Sequence, residues 1–375
     1  MKVFFHTFGC RANQYDTELV RQAFADRGAV AVDDPADADL AVVNSCTVTH
    51  TSEAKLRTLV RRLARGREID TIVMGCAAAL DDGTVAALPS VRAVVGGADP
   101  AAVLRAAGYA ASRVDPVLRR FRTNARAWLK IQDGCDEHCT FCATTIARGA
   151  NRSRPVAELV REAQALAEHH AEMVLTGVHI GTYGRDATAG DPPRVTPVGD
   201  LLEVLINAVP HVRFRLSSIE ATEVDDRIAH LLIEAPRHVA AHLHAPLQSG
   251  SNRVLRRMGR HWYTAESYRA RLDWLAARLP VFGLGADVIA GFPGETDTDH
   301  RATLDLIQAT PFTYLHVFPF SVRRDAPAAR RGRQGDGVVT GHHGGRVEVL
   351  TEDYLTVYLP SARWDGRPRF PITVD

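Results

Sequence analysis

The sequence predicts an α/β protein of two parallel units, an N-terminal Rossmann-like β-α-β domain and a partial (β/α)6 barrel of TIM type, ended by a short β segment. Three observations predict it. Strand and helix signals alternate through the first hundred residues. Six further strand-like runs alternate with helical stretches between residues 127 and 318. Two of the early helical stretches stop at glycines, Gly28 and Gly66.

In the first unit, Lys2–Phe8 is a β-rich run. Asp16–Arg27 has helical periodicity in Leu19, Val20, Ala23 and Phe24. Leu40–Val43 reads as an apolar strand, Ser52–Ala64 as a helix, and Thr71–Met74 and Val91–Val95 as further strands. Residues 98–125 carry Pro100, Gly108, Pro116 and a cluster of arginines, and read as a connector. In the second unit the strands are Ala127–Gln132, Met173–Thr176, Phe214–Ser217, His242–Ala245, Gly285–Ile289 and Tyr314–Phe318. The helices between them include Val156–His169, Val198–Ala208, Ser251–Met258 and Ala265–Arg278. Arg330–Gly345 is rich in Gly, Arg and His without periodicity and reads as flexible; Arg346–Leu350 and Tyr354–Leu359 read as two strands. The expected boundaries are 1–100, a linker over 101–125, 126–325, a flexible linker over 326–345, and 346–375.

Hydrophobic residues make up 46% and charged residues 24% of the chain, which is ordinary for a soluble globular protein. No apolar run reaches the roughly 18 residues a membrane span needs, and the N-terminus turns polar too early for a signal peptide, so a cytoplasmic protein is expected. The net charge of +1 predicts no polyanion partner from the whole-molecule field. Two local basic patches remain, Arg119-Arg120-Phe121-Arg122 and Arg61, Arg62, Arg65 and Arg67, each equally readable as a solvated helix face or linker.

Six cysteines in a reducing compartment are not a disulfide framework, which leaves buried small hydrophobes or metal ligands. Cys135-Asp-Glu-His-Cys139-Thr-Phe-Cys142 follows the strand Trp128–Ile131 and Gly134, so its thiols sit on a loop at a strand's carboxyl end. An iron–sulfur cluster normally takes four cysteines, and three leave one iron open. Zinc held by the three thiols and His138 is the other reading of the same residues. Cys10, Cys46 and Cys76 are 36 and 30 residues apart, yet each follows a predicted strand of one parallel sheet. Parallel strands end on the same side, so the three loops converge and a second three-thiol site is expected, with zinc or inert thiols as its alternatives.

The Cys-x3-Cys-x2-Cys spacing resembles the signature of radical S-adenosylmethionine (SAM) enzymes. Later segments resemble theirs too: Thr176–Gly184, Arg215–Glu220, His244–Ser251 and Asp287–Glu295, all at predicted strand ends. Thr7–Glu18, Asn44–Thr49 and Met74–Ala77 resemble the methylthiotransferase family, and the likeness spans residues 1 to about 325. Within it, Gly134–Cys142, Arg148-Gly149, Arg152-Ser153-Arg154, Thr176–Gly184 and His242–Ser251 look closest to the branch acting on N6-threonylcarbamoyladenosine 37 of tRNA.

The resemblance implies two [4Fe–4S] clusters, a radical SAM one on Cys135, Cys139 and Cys142 and an auxiliary one on Cys10, Cys46 and Cys76. It implies SAM contacts from Phe141, Thr176, Gly177, Ser217, Glu220 and Gln248, and tRNA contacts from Arg148, Arg152 and Arg154. The adenine C2–H bond is strong and not acidic, so the implied chemistry is radical: reductive SAM cleavage yields a hydrogen-abstracting radical, and a second SAM methylates the transferred sulfur. The implied partners are the tRNA anticodon stem-loop, a low-potential flavodoxin or ferredoxin, and a sulfur source. The alternatives are methylthiolation of N6-isopentenyladenosine in tRNA or of a ribosomal-protein aspartate, and a non-catalytic metal-binding module. Two features depart from the family pattern: Thr145 replaces the usual proline three residues after Cys142, and residues 346–375 make a shortened, TRAM-like version of the family's terminal β-barrel.

Overall fold

A computed structural model describes residues 1–375 apart from 66–68, 111–112, 123, 187–196, 324–325, 331–332, 352–355, 365 and 375. Gly66, Arg67 and Tyr354 thus lie outside the described residues. The first unit runs β1 (Lys2–Thr7), α1 (Arg11–Ala25), β2 (Val30–Val32), β3 (Leu40–Ser45), α2 (His50–Arg65), β4 (Asp70–Gly75), α3 (Cys76–Ala79), β5 (Val91–Gly96) and α4 (Pro100–Ala106). All five strands are parallel, in the order β2-β1-β3-β4-β5. The sheet therefore reverses direction of growth between β1 and β3, and that switch point opens a crevice at the carboxyl ends.

Three findings differ from the sequence reading. The helix α1 begins at Arg11, five residues before the apolar periodicity does, because Asn13, Tyr15 and Asp16 are buried polar groups matched by partners in the second unit, and Glu18 by Arg21 and the connector. The edge strand β2, Val-Ala-Val, is apolar throughout but only three residues long, too short to stand out. The connector opens with helix α4, capped by Asp99, and its Val103 and Leu104 bury against the sheet.

The second unit runs β6 (Ala127–Lys130), β7 (Gln132–Asp133), α5 (Thr144–Arg148), β8 (Arg152–Ser153), α6 (Val156–Ala167), β9 (Glu172–Thr176), α7 (Val198–Ala208), β10 (Arg213–Leu216), α8 (Asp226–Glu234), β11 (His242–His244), α9 (Asn252–Arg257), α10 (Ala265–Ala276), β12 (Gly283–Ala290), α11 (Asp297–Ala309) and β13 (Tyr314–Pro319). Its parallel strands pair as β10-β9-β6 and β11-β12-β13, joined by the bridge Ser218↔His244. All six predicted barrel strands are present, in sequential order. Outward residues such as Leu129, Leu175, Phe214, Leu243 and Leu284 are fully buried against the helices and form the main core. Helices α8 and α11 were legible in principle: Asp225 caps the first, and Thr296 with Asp299 forms a capping box on the second.

The face of the barrel wall turned away from the helices is polar. Glu172 accepts from Arg213 Nε (2.7 Å), Arg215 Nε (2.9 Å) and Arg126 Nη1 (3.3 Å). Burial alone would raise its pKa; the hydrogen bonds and charges of Arg215 and Arg213 instead hold it at about 2. An unfolded glutamate titrates near 4.5, so the unfolded chain binds the extra proton and stability falls as pH drops from about 4.5 towards 2. Denaturant midpoints across that window are expected to fall more steeply for the native chain than for Glu172→Gln.

The stretch 330–345, predicted as a flexible linker, contains regular structure among its described residues. It carries β14 (Arg333–His343), followed by β15 (Arg346–Thr351), β16 (Thr356–Pro360) and β17 (Arg369–Val374), in an antiparallel sheet ordered β16-β15-β14-β17. Gly344 and Gly345 both have positive φ, 53° and 79°, and form the two-residue turn between β14 and β15. Ladder partners on both sides hold a strand that has no apolar alternation of its own.

Candidate functional site

The carboxyl ends of both parallel sheets face one another across a cleft of about 360 Å³. All six cysteines line it. Cys10 is the extended N-cap of α1, Cys46 follows β3, and Cys76 opens α3 after β4. The loop after β7 brings Cys135, Cys139 and Cys142 to the opposite wall, with Cys142 N–H donating to the Cys139 carbonyl (3.1 Å). Two glycines make these approaches possible. Gly75 has φ +93°, and a Cβ there would lie 2.1 Å from Asn44 Oδ1; Gly134 has φ +72°, and its Cβ would meet the Ala150 carbonyl at 1.9 Å. Gly75→Ala is expected to cost roughly 2 kcal/mol and to loosen Cys76, read as a lower urea midpoint together with reduced iron retention after anaerobic reconstitution.

The thiol spacing bears on the choice between the two metals. Tetrahedral zinc holds its sulfurs about 3.8 Å apart. Among the described residues, the groups of three metal-ligating side chains that close within 4.8 Å are His244, Asp287 and His316, and His179, Glu220 and Glu223; neither thiol trio does so. His138, the presumptive fourth zinc ligand, is exposed and does not line the cleft. Two separated trios that do not close to zinc spacing fit clusters that keep one iron open, and His179, the imidazole nearest Cys135, is held by Glu223.

Each trio carries one buried guanidinium. Arg148 Nε donates to Cys76 Sγ (3.3 Å) and Arg260 Nη1 to Cys139 Sγ (3.5 Å); the two arginine side chains are 6% and 7% exposed. Burial pushes the Cys76 and Cys139 thiols up to about 11, and the guanidiniums act in the opposite sense. Ligation needs thiolates, so loading expels protons, and each arginine offsets part of the negative charge left behind. Backbone N–H groups of Val48, Glu137 and Thr144 donate to Cys46, Cys135 and Cys142. Asn13 Oδ1 lies 3.6 Å from Cys10 Sγ and 3.9 Å from Cys76 Sγ, and so spans two loops of its trio.

Arg148 and Arg154 were expected at a phosphate; the structure commits them elsewhere. Arg148 is locked between Asp16 (3.0 Å) and Asp133 (2.8 Å). Arg154 binds Glu162 (2.9 Å) and the Tyr15 hydroxyl (3.0 Å). Both arginines fasten α1 of the first unit to the barrel, because each meets a buried carboxylate that has to be neutralised. Arg152 alone of the three is exposed, with its guanidinium donating to the Arg148 and Ala150 carbonyls.

Of the six residues expected around SAM, Phe141, Gly177, Glu220 and Gln248 line the cleft, whereas Thr176 and Ser217 are buried and do not. Val178, His179 and Ser218 line it instead, one or two positions further along the same strand ends. Glu220 accepts from Arg260 and from the Trp262 indole. Gln248 sits at φ +65° with its carbonyl accepting from Ile289 N–H (2.9 Å), a strained backbone at the cleft wall. Sequence reasoning missed Asn13, His179, Arg260, Trp262 and Asp287. Asn13, one helical turn after Cys10, and His179 and Asp287, inside the segments Thr176–Gly184 and Asp287–Glu295, had a signal; Arg260 and Trp262 had none. His179 stands 3.7 Å from Cys135 Sγ and 3.0 Å from Glu223; burial lowers its pKa, but the hydrogen bonds to Cys135 and Glu223 outweigh that and raise it to about 9.

Fold and site together define a radical SAM enzyme with a second iron–sulfur centre. Residues 2–96 match the uncharacterized protein family UPF0004 and residues 129–307 the radical SAM superfamily. The chain is 37% identical to the threonylcarbamoyladenosine tRNA methylthiotransferase MtaB of Bacillus subtilis, covering 95% of this chain and 81% of that one. It is 34% identical to the MtaB of Thermotoga maritima, covering 92% and 80%. It is also 34% identical to the tRNA-2-methylthio-N(6)-dimethylallyladenosine synthase of Novosphingobium aromaticivorans, covering 86% and 76%. The structure of the radical SAM methyltransferase TsrM from Kitasatospora setae, with cobalamin and a [4Fe-4S] cluster bound, shares the fold at 15% identity, with a TM-score of 0.64 over 87% of this chain and 76% of that one. The chain belongs to the methylthiotransferase family of radical SAM enzymes, in its MtaB branch.

Proposed function

We propose that this enzyme places a methylthio group on C2 of N6-threonylcarbamoyladenosine 37 in tRNA. The observation that carries the reading is the pair of three-thiol sites opening on one cleft. When bound, the clusters and SAM supply the electron, the radical and the sulfur. The chain's own part is placement: Cys135, Cys139 and Cys142 on one wall, Cys10, Cys46 and Cys76 on the other, and the base between them. Reaching that position requires adenosine 37 to be splayed from its loop. Exposed Arg152 remains the proposed phosphate contact of the three arginines. Phe141, Gly177, Glu220 and Gln248 are the proposed SAM contacts, joined by Ser218 and His179. A cytoplasmic setting, a flavodoxin- or ferredoxin-type donor and a separate sulfur source complete the proposal. The substrate is favoured over N6-isopentenyladenosine by the higher identity and coverage of the Bacillus subtilis threonylcarbamoyladenosine relative.

The test is nucleoside mass spectrometry of tRNA from a strain lacking the gene, with the gene restored in parallel. Loss of 2-methylthio-N6-threonylcarbamoyladenosine, and its return on complementation, is expected. Methylthio label on an isopentenyladenosine or on a ribosomal peptide would move the assignment to that substrate.

A further inference from the structure

Arg11, the residue after Cys10, is a cation without an anion. Among the described residues it makes no hydrogen bond or ion pair, and its guanidinium carbon stands 5.7 Å from the ring centre of Trp128. It is half-buried, on the side of α1 that meets the barrel. The wall it faces already has an excess of positive charge. Arg126, Arg213 and Arg215 share the single carboxylate of Glu172, and the other acid on this face is Asp287. With Arg11 that is four positive charges against two negative.

The His242 imidazole opposite is held neutral. His242 is lowered to about 4, first by burial and then by the charges of Arg215 and Arg11. The hydrogen bonds form a chain: His242 Nε2 to the Tyr314 hydroxyl (2.9 Å), that hydroxyl to His244 Nδ1 (3.2 Å), and His244 Nε2 to Asp287 (3.0 Å). His316 Nδ1 reaches the same Asp287 oxygen (3.1 Å). His244, Asp287 and His316 have the spacing of a divalent-metal site. The surrounding guanidiniums oppose a dication there, however, and favour an anion. His242 Nδ1 is buried without a hydrogen-bond partner, so this wall also has an acceptor to spare.

We propose that Arg11, facing the His242–Tyr314 wall, forms an anion subsite that receives the threonyl carboxylate of the substrate and selects it over uncharged N6 arms. The inference rests on the proposed function above. It adds the reason for choosing among modified adenosines: of the two tRNA arms considered, the threonylcarbamoyl arm carries a carboxylate and N–H and O–H donors, whereas an isopentenyl arm carries none of them. Placement next to Cys10 puts the subsite beside the trio proposed to deliver sulfur, so one bound base engages both. An RNA phosphate is the other source of negative charge for such a guanidinium, and the experiment separates the two.

Anticodon stem-loops carrying N6-threonylcarbamoyladenosine, or its threoninamide analogue without the charge, are compared on the reconstituted holoenzyme by binding anisotropy and by kcat/KM. The native enzyme is expected to prefer the carboxylate loop by about 30-fold or more, as sites built around a charged hydrogen bond do. Arg11→Gln is expected to cut that preference below about 3-fold through loss on the carboxylate loop alone, and Arg11→Lys to restore about 10-fold. A preference unchanged in Arg11→Gln overturns the subsite. So does an equal loss on both loops that Arg11→Lys fails to reverse, which is the signature of a phosphate contact or a purely structural role. If the native holoenzyme leaves the threonylcarbamoyl loop without a methylthio group, the proposed function fails first, independently of Arg11.

Discussion

Replacing Cys135, Cys139 and Cys142 together with alanine is expected to halve the iron of the reconstituted protein, from about eight to about four atoms per chain, and to abolish both SAM cleavage and methylthio transfer. The three thiols come from one loop on the barrel, whereas the other trio comes from three strand ends of a separate sheet. Neither site shares a ligand with the other, so each should load alone. The companion variant, alanine at Cys10, Cys46 and Cys76, is expected to hold about four irons as well, yet still to release 5′-deoxyadenosine from SAM while forming no methylthio nucleoside. Iron analysis, chromatographic detection of 5′-deoxyadenosine and nucleoside mass spectrometry read the three quantities separately. Zinc in place of iron in the native protein, or full iron in either variant, would remove the two-centre reading.

The second large effect is on stability. Asp16 is 2% exposed and pairs with both Lys130 and Arg148 across the junction of the two units. Lys130 is buried, and the charges of Asp16 and Asp133 more than offset the burial that would lower its pKa. Removing one partner of a buried pair leaves an uncompensated charge, which costs about 3–5 kcal/mol. Asp133 still neutralises part of the two cations, at 2.9 Å from Lys130 and 2.8 Å from Arg148. Asp16→Ala is therefore expected near the lower end, about 3 kcal/mol, measured as the shift in the urea transition. A double variant with Lys130→Met should recover part of that loss. Additive costs in the double variant would show that the ion pair is not what joins the units.

Much of this molecule was legible because its signals are local. Strands buried on both faces, such as Val42-Val43 or Val174-Leu175, announce themselves by composition, and a parallel sheet needs only their order to send Cys10, Cys46 and Cys76 to one edge. The Cys135–Cys142 loop is local too, since its three ligands lie within eight residues. Strand β14 escaped notice because its stability comes from neighbours on both sides and not from its own alternation. The carboxylate partners of Arg148 and Arg154 were hidden for a related reason. An arginine looks the same in sequence whether it meets solvent, a phosphate or a carboxylate, and only the approach of α1 to the barrel showed that Asp16, Asp133 and Glu162 were waiting for them.

By itself, then, the sequence determined the two parallel units, the convergence of two cysteine trios and the family chemistry, because each is written in spacing or in strand order. Tertiary structure alone decided which arginines are spent on buried carboxylates and which, like Arg11, stay unmatched. Coulomb partners are chosen by distance in space, and residues more than a hundred positions apart, such as Asp16 and Arg148, become neighbours only when two sheets close on a common cleft.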